Sequence, residues 1–340
     1  MQPFVPLAER VIDALLDSDP LLAHYTGDHR GDQRLPDWSS DSTRAQITML
    51  REASNALAEL DTEFLTPEEA VDYALLTGLV DRRLFELEEI RGYEWNPLAH
   101  NPGPLLHGLL KRSSRLPRSV TPGTRELRRP PAPAAERLES LTARLELIPD
   151  ALAVAAGVLD ECPAIHLETA TGQFAGVAAL IRDEVPALAS EARVADWRLD
   201  AARQRALAAL GEFDGWLRRQ LESGDPGRDP RLGRPLWEAR LWHTLDSELS
   251  ASELADRAWA NLDRVTEQIR LAAAELTGGS PDDATVRAAL AQIAEDRPDD
   301  ATIVGRAGDA LAETTLFVTA HDLVSLVDDP CEIVVMPEFA

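Results

Sequence analysis

Histidine and cysteine, the side chains that most often bind zinc, are few in this chain and widely spaced along it. No two of the seven histidines are four residues apart, the spacing that directs two imidazole rings from one helix to the same metal. None is followed by glutamate, so the H-E-x-x-H zinc motif is absent from these residues. The seven are His24, His29, His100, His107, His166, His243 and His321.

The other common catalytic motifs are also missing. Lys111, the one lysine, is followed by Arg112, so there is no Gly-Lys-Ser/Thr phosphate loop. The sequence has no G-x-G-x-x-G, no G-x-S-x-G and no C-x-x-C. A conventional nucleotide, serine-hydrolase or dithiol site is therefore excluded within these 340 residues.

Two histidine clusters remain as candidates. His24, Asp28 and His29 lie in a loop and come nearest to a ligand set, but histidine and aspartate in loops usually cap turns and face water. We therefore predict no metal there. His166 and Glu168 are two residues apart on a predicted helix and point to different sides, so we interpret His166 as a satisfied helix-start histidine.

Trp237, Trp242 and His243 are the candidates for lining a cleft. The alternative is that these aromatic residues at helical spacing belong to the core. Paired acidic residues could in principle form a two-carboxylate site, but they are typical of helix N-termini and turns. These pairs are Asp282 with Asp283, Asp299 with Asp300, and Asp328 with Asp329.

The element that would position these groups is a helix over His166–Val185. Apolar residues recur there every three or four positions, which places them on one face. Gly172 and Gly176 cost helix stability, so we predict that another helix crosses close to them. Glu168 and Gln173 are the expected polar groups in those contacts.

Helical periodicity continues along the rest of the chain. Capping boxes begin helices at Thr66 and Ser250, and a pattern from Glu136 passes Pro149, which predicts one kinked helix or two short ones. Only Cys331–Ala340 has the pattern of a strand. The fold class is therefore all-α, a multi-helix array with a short extended segment at its C-terminal end.

Composition limits the partners and the compartment. A net charge of −25 argues against nucleic acid and anionic membranes as partners. Two cysteines, Cys162 and Cys331, form no disulfide framework, and we find no signal peptide and no apolar run long enough to span a membrane. These features favour a cytoplasmic protein.

We predict three segments. Residues 1–110 and 134–340 are helical and are expected to pack as one domain, and residues 111–133 form an exposed linker or an insertion. Seven basic residues lie between Lys111 and Arg129, with only Glu126 opposing them. This segment is either a solvated tether or a docking site for an acidic partner.

Several stretches, in this order, resemble the bacterial domain-of-unknown-function 885 family. The resemblance covers nearly the whole chain, except residues 113–129, which do not look like the family. The matching stretches are HYTGDHRGDQRLPDWS, EWNPL, RLELIPDAL, HLETATGQFAGVAALIRDEV, GRPLWEARLWHTLDSELSASELADRAW and CEIVVMPE.

The resemblance implies a zinc-dependent peptidase scaffold of the H-E-x-x-H type, mostly helical, with an elongated array forming one wall of a cleft. Zinc is implied for full-length members, but no family ligand has a matching position in this chain. We expect the helical N-terminal portion of such a protein, inactive alone and without a cofactor of its own.

Two other hypotheses remain open: a stand-alone helical module that binds a peptide-like ligand, and an enzyme with an unrecognised non-metal site. A half-domain should expose apolar surface on the helices from Ser250 onward, to be covered by a C-terminal catalytic portion. A self-sufficient module should close that surface or bury it in a homodimer.

Overall fold

The computed structural model describes residues 3–111, 133–245, 247, 249–326, 331 and 333. About 76% of these residues are helical and none is in a strand, which confirms the all-α prediction. The predicted strand at Cys331–Ala340 lies almost entirely outside the described residues. The elongated form and the cleft wall stay predictions.

Thirteen α-helices account for most of the described chain. Three shorter helical segments connect some of them: 3₁₀ turns at Thr62–Phe64 and Pro97–His100, and a π-helical segment at Glu86–Ile90. The α-helices are α1 Phe4–Ser18, α2 Pro20–Tyr25, α3 Ser40–Ala58, α4 Pro67–Phe85, α5 Gly92–Trp95, α6 Gly103–Lys111, α7 Ala134–Val158, α8 Ala164–Glu191, α9 Trp197–Glu222, α10 Arg234–Leu245, α11 Ala251–Thr277, α12 Asp283–Ala294 and α13 Ile303–Ala320.

Both predicted capping boxes are confirmed. The Thr66 hydroxyl accepts a hydrogen bond from the Glu69 backbone N–H, and the Glu69 carboxylate accepts one from the Thr66 N–H. Ser250 and Glu253 make the same reciprocal pair at the start of α11. Each box satisfies backbone N–H groups that the first helical turn leaves without partners.

The chain divides into two compact units, Met1–Asp246 and Ser247–Glu338. Unit 1 contains α1 to α10 and unit 2 contains α11 to α13. This boundary differs from the predicted segments, which placed none at this position. Helices α6 and α7, on either side of the predicted linker, contact each other within unit 1, while residues 112–132 lie outside the described part of the chain.

The main core of unit 1 lies where α7, α8 and α9 pack together. Phe174 of α8, 1% exposed, meets Phe213 of α9 with ring centroids 4.8 Å apart. A second core joins α1, α3 and α4. Helix α7 passes Pro149 as one helix, which rules out the alternative of two short ones.

Helix α8 also continues through a proline, because a neighbouring side chain compensates for it. Pro186 has no N–H to donate to the carbonyl of Arg182, four residues earlier. Arg203 of α9 donates to that carbonyl and to the carbonyl of Ile181, both at 3.3 Å. The guanidinium thus satisfies the oxygen that the proline leaves without a partner.

The expectation of a helix crossing close to Gly172 is wrong. A Cβ atom built there would meet nothing within 4 Å, and Thr169 and Ala175 on the same side of α8 are also exposed. Close approach occurs instead at Gly108 of α6, where a Cβ would lie 2.0 Å from Nε2 of His24. The expected polar contact of Gln173 is confirmed, since its side-chain oxygen accepts a hydrogen bond from Asn101 at 3.0 Å.

Candidate functional site

Two histidines meet one small aromatic core in unit 1. Phe85 and Trp95 are buried together with Ile90. His166, in the first turn of α8, stacks on Trp95 with centroids 5.4 Å apart, and His243 of α10 lies over Phe85 at 4.7 Å. We call Phe85, Trp95, His166 and His243 the aromatic–histidine cluster.

The π-helical segment between α4 and α5 helps to form this cluster. Glu86–Ile90 follows Phe85 directly, and the backbone then turns at Arg91, which has a left-handed conformation with φ of 54°. The Trp95 indole N–H donates to the carbonyl of Ile90 at 2.9 Å, which holds the ring against the segment. Single π turns inside α-helices occur often at functional sites.

Charge and burial limit what the cluster can do. Burial lowers the pKa of His166, so its ring is neutral near pH 7. Nδ1 of His166 is buried and has no hydrogen-bond partner among the described residues. The interpretation of His166 as a satisfied histidine is therefore wrong for that atom. Arg228 lies over Trp95, with its Cζ 4.6 Å from the ring centroid.

Among the described residues, no carboxylate orients the Nδ1 atom of His166. A general-base histidine needs a group that orients the imidazole, as the carboxylate does in a catalytic triad. In the described residues, the His166 imidazole stacks on the Trp95 ring, and its Nδ1 has no carboxylate or other hydrogen-bond partner.

The three predicted cleft residues are only partly brought together. Trp237 and Trp242 are 45% and 48% exposed, and five residues along a helix correspond to a rotation of roughly 140°, so they do not share a face. His243 turns inward to Phe85 and touches the neighbouring Trp242 ring at 4.9 Å. Their role in lining a cleft stays a prediction.

His24 and His29 have separate contacts, and His24 lies in helix α2 rather than in the predicted loop. His29 Nδ1 lies 2.9 Å from an oxygen of Asp32, while Asp28 accepts hydrogen bonds from Arg30. The His24 ring packs on Gly108. Across the described ranges, no three His, Cys, Asp or Glu side chains are grouped so that they could hold a metal ion, so these residues do not fit a zinc site.

Of the acidic pairs that are described, one begins a helix and the other lies in a turn, as predicted. Asp282 caps α12 by accepting from the Thr285 N–H, and Asp299 accepts from both the N–H and the hydroxyl of Thr302. These hydrogen bonds lower the pKa of both carboxyls. Asp328 and Asp329 lie outside the described residues.

Sequence reasoning missed the buried cation of unit 1. Arg144 of α7 is fully buried and donates to the carbonyl oxygens of Gly31 at 3.0 Å, Arg34 at 3.1 Å and Leu105. It thereby ties the loop before α3 to α6 and α7. The signal was present, because Arg144 lies on the apolar face of α7 between Leu141 and Ile148.

The helical fold and the side-chain contacts identify the class of protein. The chain is an all-α protein with a densely packed three-helix centre and, within its described residues, no assembled metal site. The family described as "Bacterial protein of unknown function (DUF885)" matches residues 20–340, and the chain belongs to it. The resemblance inferred from the sequence is confirmed at this level.

A solved structure shares the fold. It is titled "The structure of a putative lipoprotein of unknown function from Shewanella oneidensis", and it matches with a TM-score of 0.74 and 20% sequence identity. The match covers 96% of this chain and 59% of that one, so this chain spans about three fifths of that protein's length. No curated protein matches the chain. Within the described residues, no helix is both long enough and apolar enough to cross a membrane.

Proposed function

We propose that this chain is the helical, non-catalytic portion of a zinc-metallopeptidase-like protein, and that a further stretch of polypeptide supplies the metal site. The observation that carries the proposal is the apolar surface of unit 2. The helices of unit 2 bury only Ala273 and Ala289 among their described residues. Its large apolar side chains are instead exposed, among them Trp259, Leu262, Ile269, Leu290, Ile293, Ile303, Leu316 and Phe317.

Exposure of this kind is costly for a protein that functions alone. Each large side chain that moves from water into a core contributes roughly 1.5–3 kcal/mol, and contiguous exposed apolar patches mark interaction surfaces. Helix α13 is an extreme case, because none of its residues is buried. Most of the stability of a helix in a protein comes from packing of its apolar face, so α13 needs a covering surface to be stable.

The structural neighbour supports the same proposal. About two fifths of its chain has no counterpart in these 340 residues. An equivalent stretch of polypeptide would have the length to cover unit 2 and to carry the zinc ligands that the described residues do not assemble.

The test uses two proteins. We expect residues 1–340 to bind much less than one zinc per chain by mass-spectrometric metal analysis and to leave a peptide library uncleaved. On this proposal, we expect the full-length structural neighbour from Shewanella oneidensis to bind zinc stoichiometrically and to cleave peptides. Stoichiometric zinc with turnover in residues 1–340 would contradict the proposal, and so would a full-length neighbour that binds no zinc.

A further inference from the structure

Helix α11 presents a continuous apolar stripe to solvent. Its apolar residues alternate at spacings of four and three, the repeat that makes one helix pack along another. Leu262, Ile269 and Leu276 are each about half exposed, at 51%, 49% and 49%. We call the whole set the α11 seam; it consists of Ala258, Leu262, Val265, Ile269, Ala272 and Leu276.

Among the described helices, α12 packs closely on α11 and leaves this seam open. Helix α12 contacts α11, and the residues that the two helices bury are Ala273 and Ala289. Arg270 supports the same contact through a salt bridge of 2.8 Å to Asp283 at the start of α12. The larger seam residues keep about half of their surface in water.

We propose that the α11 seam binds an amphipathic helix with basic flanks, contributed by the covering polypeptide. This inference rests on the proposed function and adds the chemistry of the partner. The alternating spacing specifies a helix as the occupant, since only a helix inserts side chains at that repeat. Helix α11 has 27 residues, a length of roughly 40 Å, so it can support several helical turns of a partner.

The acidic charge of unit 2 indicates which kind of partner the α11 seam binds. Residues 249–326 contain 14 Asp and Glu but only six Arg and no Lys. Two of those arginines, Arg270 and Arg306, are already paired with Asp283 and Asp296. A second copy of the same unit would bring like charges together, whereas Lys or Arg beside an apolar stripe would be attracted.

The length of the structural neighbour supports a polypeptide partner over a small ligand. The match covers 96% of this chain, and about two fifths of the neighbour's chain lie outside it. A polypeptide of that size can provide both an apolar stripe for the seam and basic residues at its edges.

The experiment measures binding of designed peptides to residues 1–340. One peptide carries Leu and Ala at heptad core positions with Lys on the flanks, and the matched peptide has Glu in place of Lys. We expect the Lys peptide to bind with a micromolar Kd and the Glu peptide to bind about tenfold more weakly or worse.

Variants separate the seam from general attraction between opposite charges. The triple variant Leu262→Gln, Ile269→Gln, Leu276→Gln keeps the net charge and removes the stripe, so binding of the Lys peptide should fall about tenfold or more. Leu271→Gln is the matched control, because Leu271 is 54% exposed but lies outside the seam, and it should change the Kd less than about twofold. Circular dichroism confirms that each variant remains helical.

Two results would overturn the inference. Equal binding by the triple variant would mean that the peptide recognises charge alone. A dimer of residues 1–340, seen by light scattering and dissolved by the triple variant, would make a second copy the occupant. Neither result depends on the zinc measurement, so the experiment can contradict the proposal for the α11 seam without contradicting the proposed function.

Discussion

Helices α8 and α11 are nearly equal in length, at 28 and 27 residues, and both carry apolar residues at helical spacing. Helix α8 buries eight residues, whereas α11 buries only Ala273. The difference does not arise from the pattern, since each sequence predicts a face that needs a partner. It arises because α7 and α9 cover α8 within unit 1, while the α11 seam has no comparable cover among the described residues.

The largest expected effect compares one side chain from each helix. Phe174→Ala should lower the free energy of unfolding by about 3–5 kcal/mol, because it opens a cavity beside Phe213. Ile269→Ala should cost less than about 0.5 kcal/mol, because the side chain is already half in water. Urea unfolding followed by circular dichroism measures both. Equal losses would mean that α11 is covered in solution, and would contradict the difference in burial between α8 and α11.

A second pair of variants compares a buried and an exposed arginine within unit 1. Arg144→Met should cost about 3 kcal/mol, because it leaves carbonyl oxygens such as those of Gly31 and Leu105 without their donor. Arg205→Met removes an exposed guanidinium 3.7 Å from Glu146 and should cost less than about 0.5 kcal/mol. Unfolding midpoints in urea test the difference. A small effect at Arg144 would show that the loop before α3 is held by other contacts.

The smallest expected effect concerns pH. Burial lowers the pKa of His100, and its Nε2 lies 2.7 Å from the carbonyl oxygen of Tyr93. The unfolded chain binds a proton near pH 6.5 while folded His100 does not. Stability should therefore fall as the pH drops below about 6.5, until it passes the lower pKa of the folded state, by up to about 1.4 kcal/mol per pH unit.

The measurement is the difference between urea midpoints at pH 7.5 and 5.5. His100→Asn keeps a donor for the Tyr93 carbonyl and should reduce this difference. His321→Asn, in unit 2, is the matched control, because its ring is exposed and no burial is lost. If both variants keep the full pH dependence, groups other than His100 determine it.

Much of the fold follows from local patterns. The two capping boxes predict where α4 and α11 begin, and the apolar spacing predicts α8 up to Val185, six residues before its end at Glu191. These signals come from neighbours in sequence. Gly172 was misinterpreted because a glycine in a helix does not reveal whether anything approaches it, and here nothing does.

The candidate site was harder to predict, because it depends on which helices meet. His243 was identified as a candidate, but its partner Phe85 is 158 positions earlier, and no spacing rule connects them. Arg144 has an apolar setting that the sequence does show, yet its acceptors are backbone oxygens that any residue could supply. Long-range contacts of this kind become visible only when the packing is known.

The contact between Pro186 and Arg203 has a consequence for how this family can vary. Sliding α9 along α8 by one turn, about 5.4 Å, would move the guanidinium away from the carbonyls of Ile181 and Arg182. The hydrogen bonds of Arg203 therefore fix the position of α9 along α8. A relative without the proline can also lose the arginine. A relative that keeps the proline but lacks the arginine needs another donor at the same position along α9.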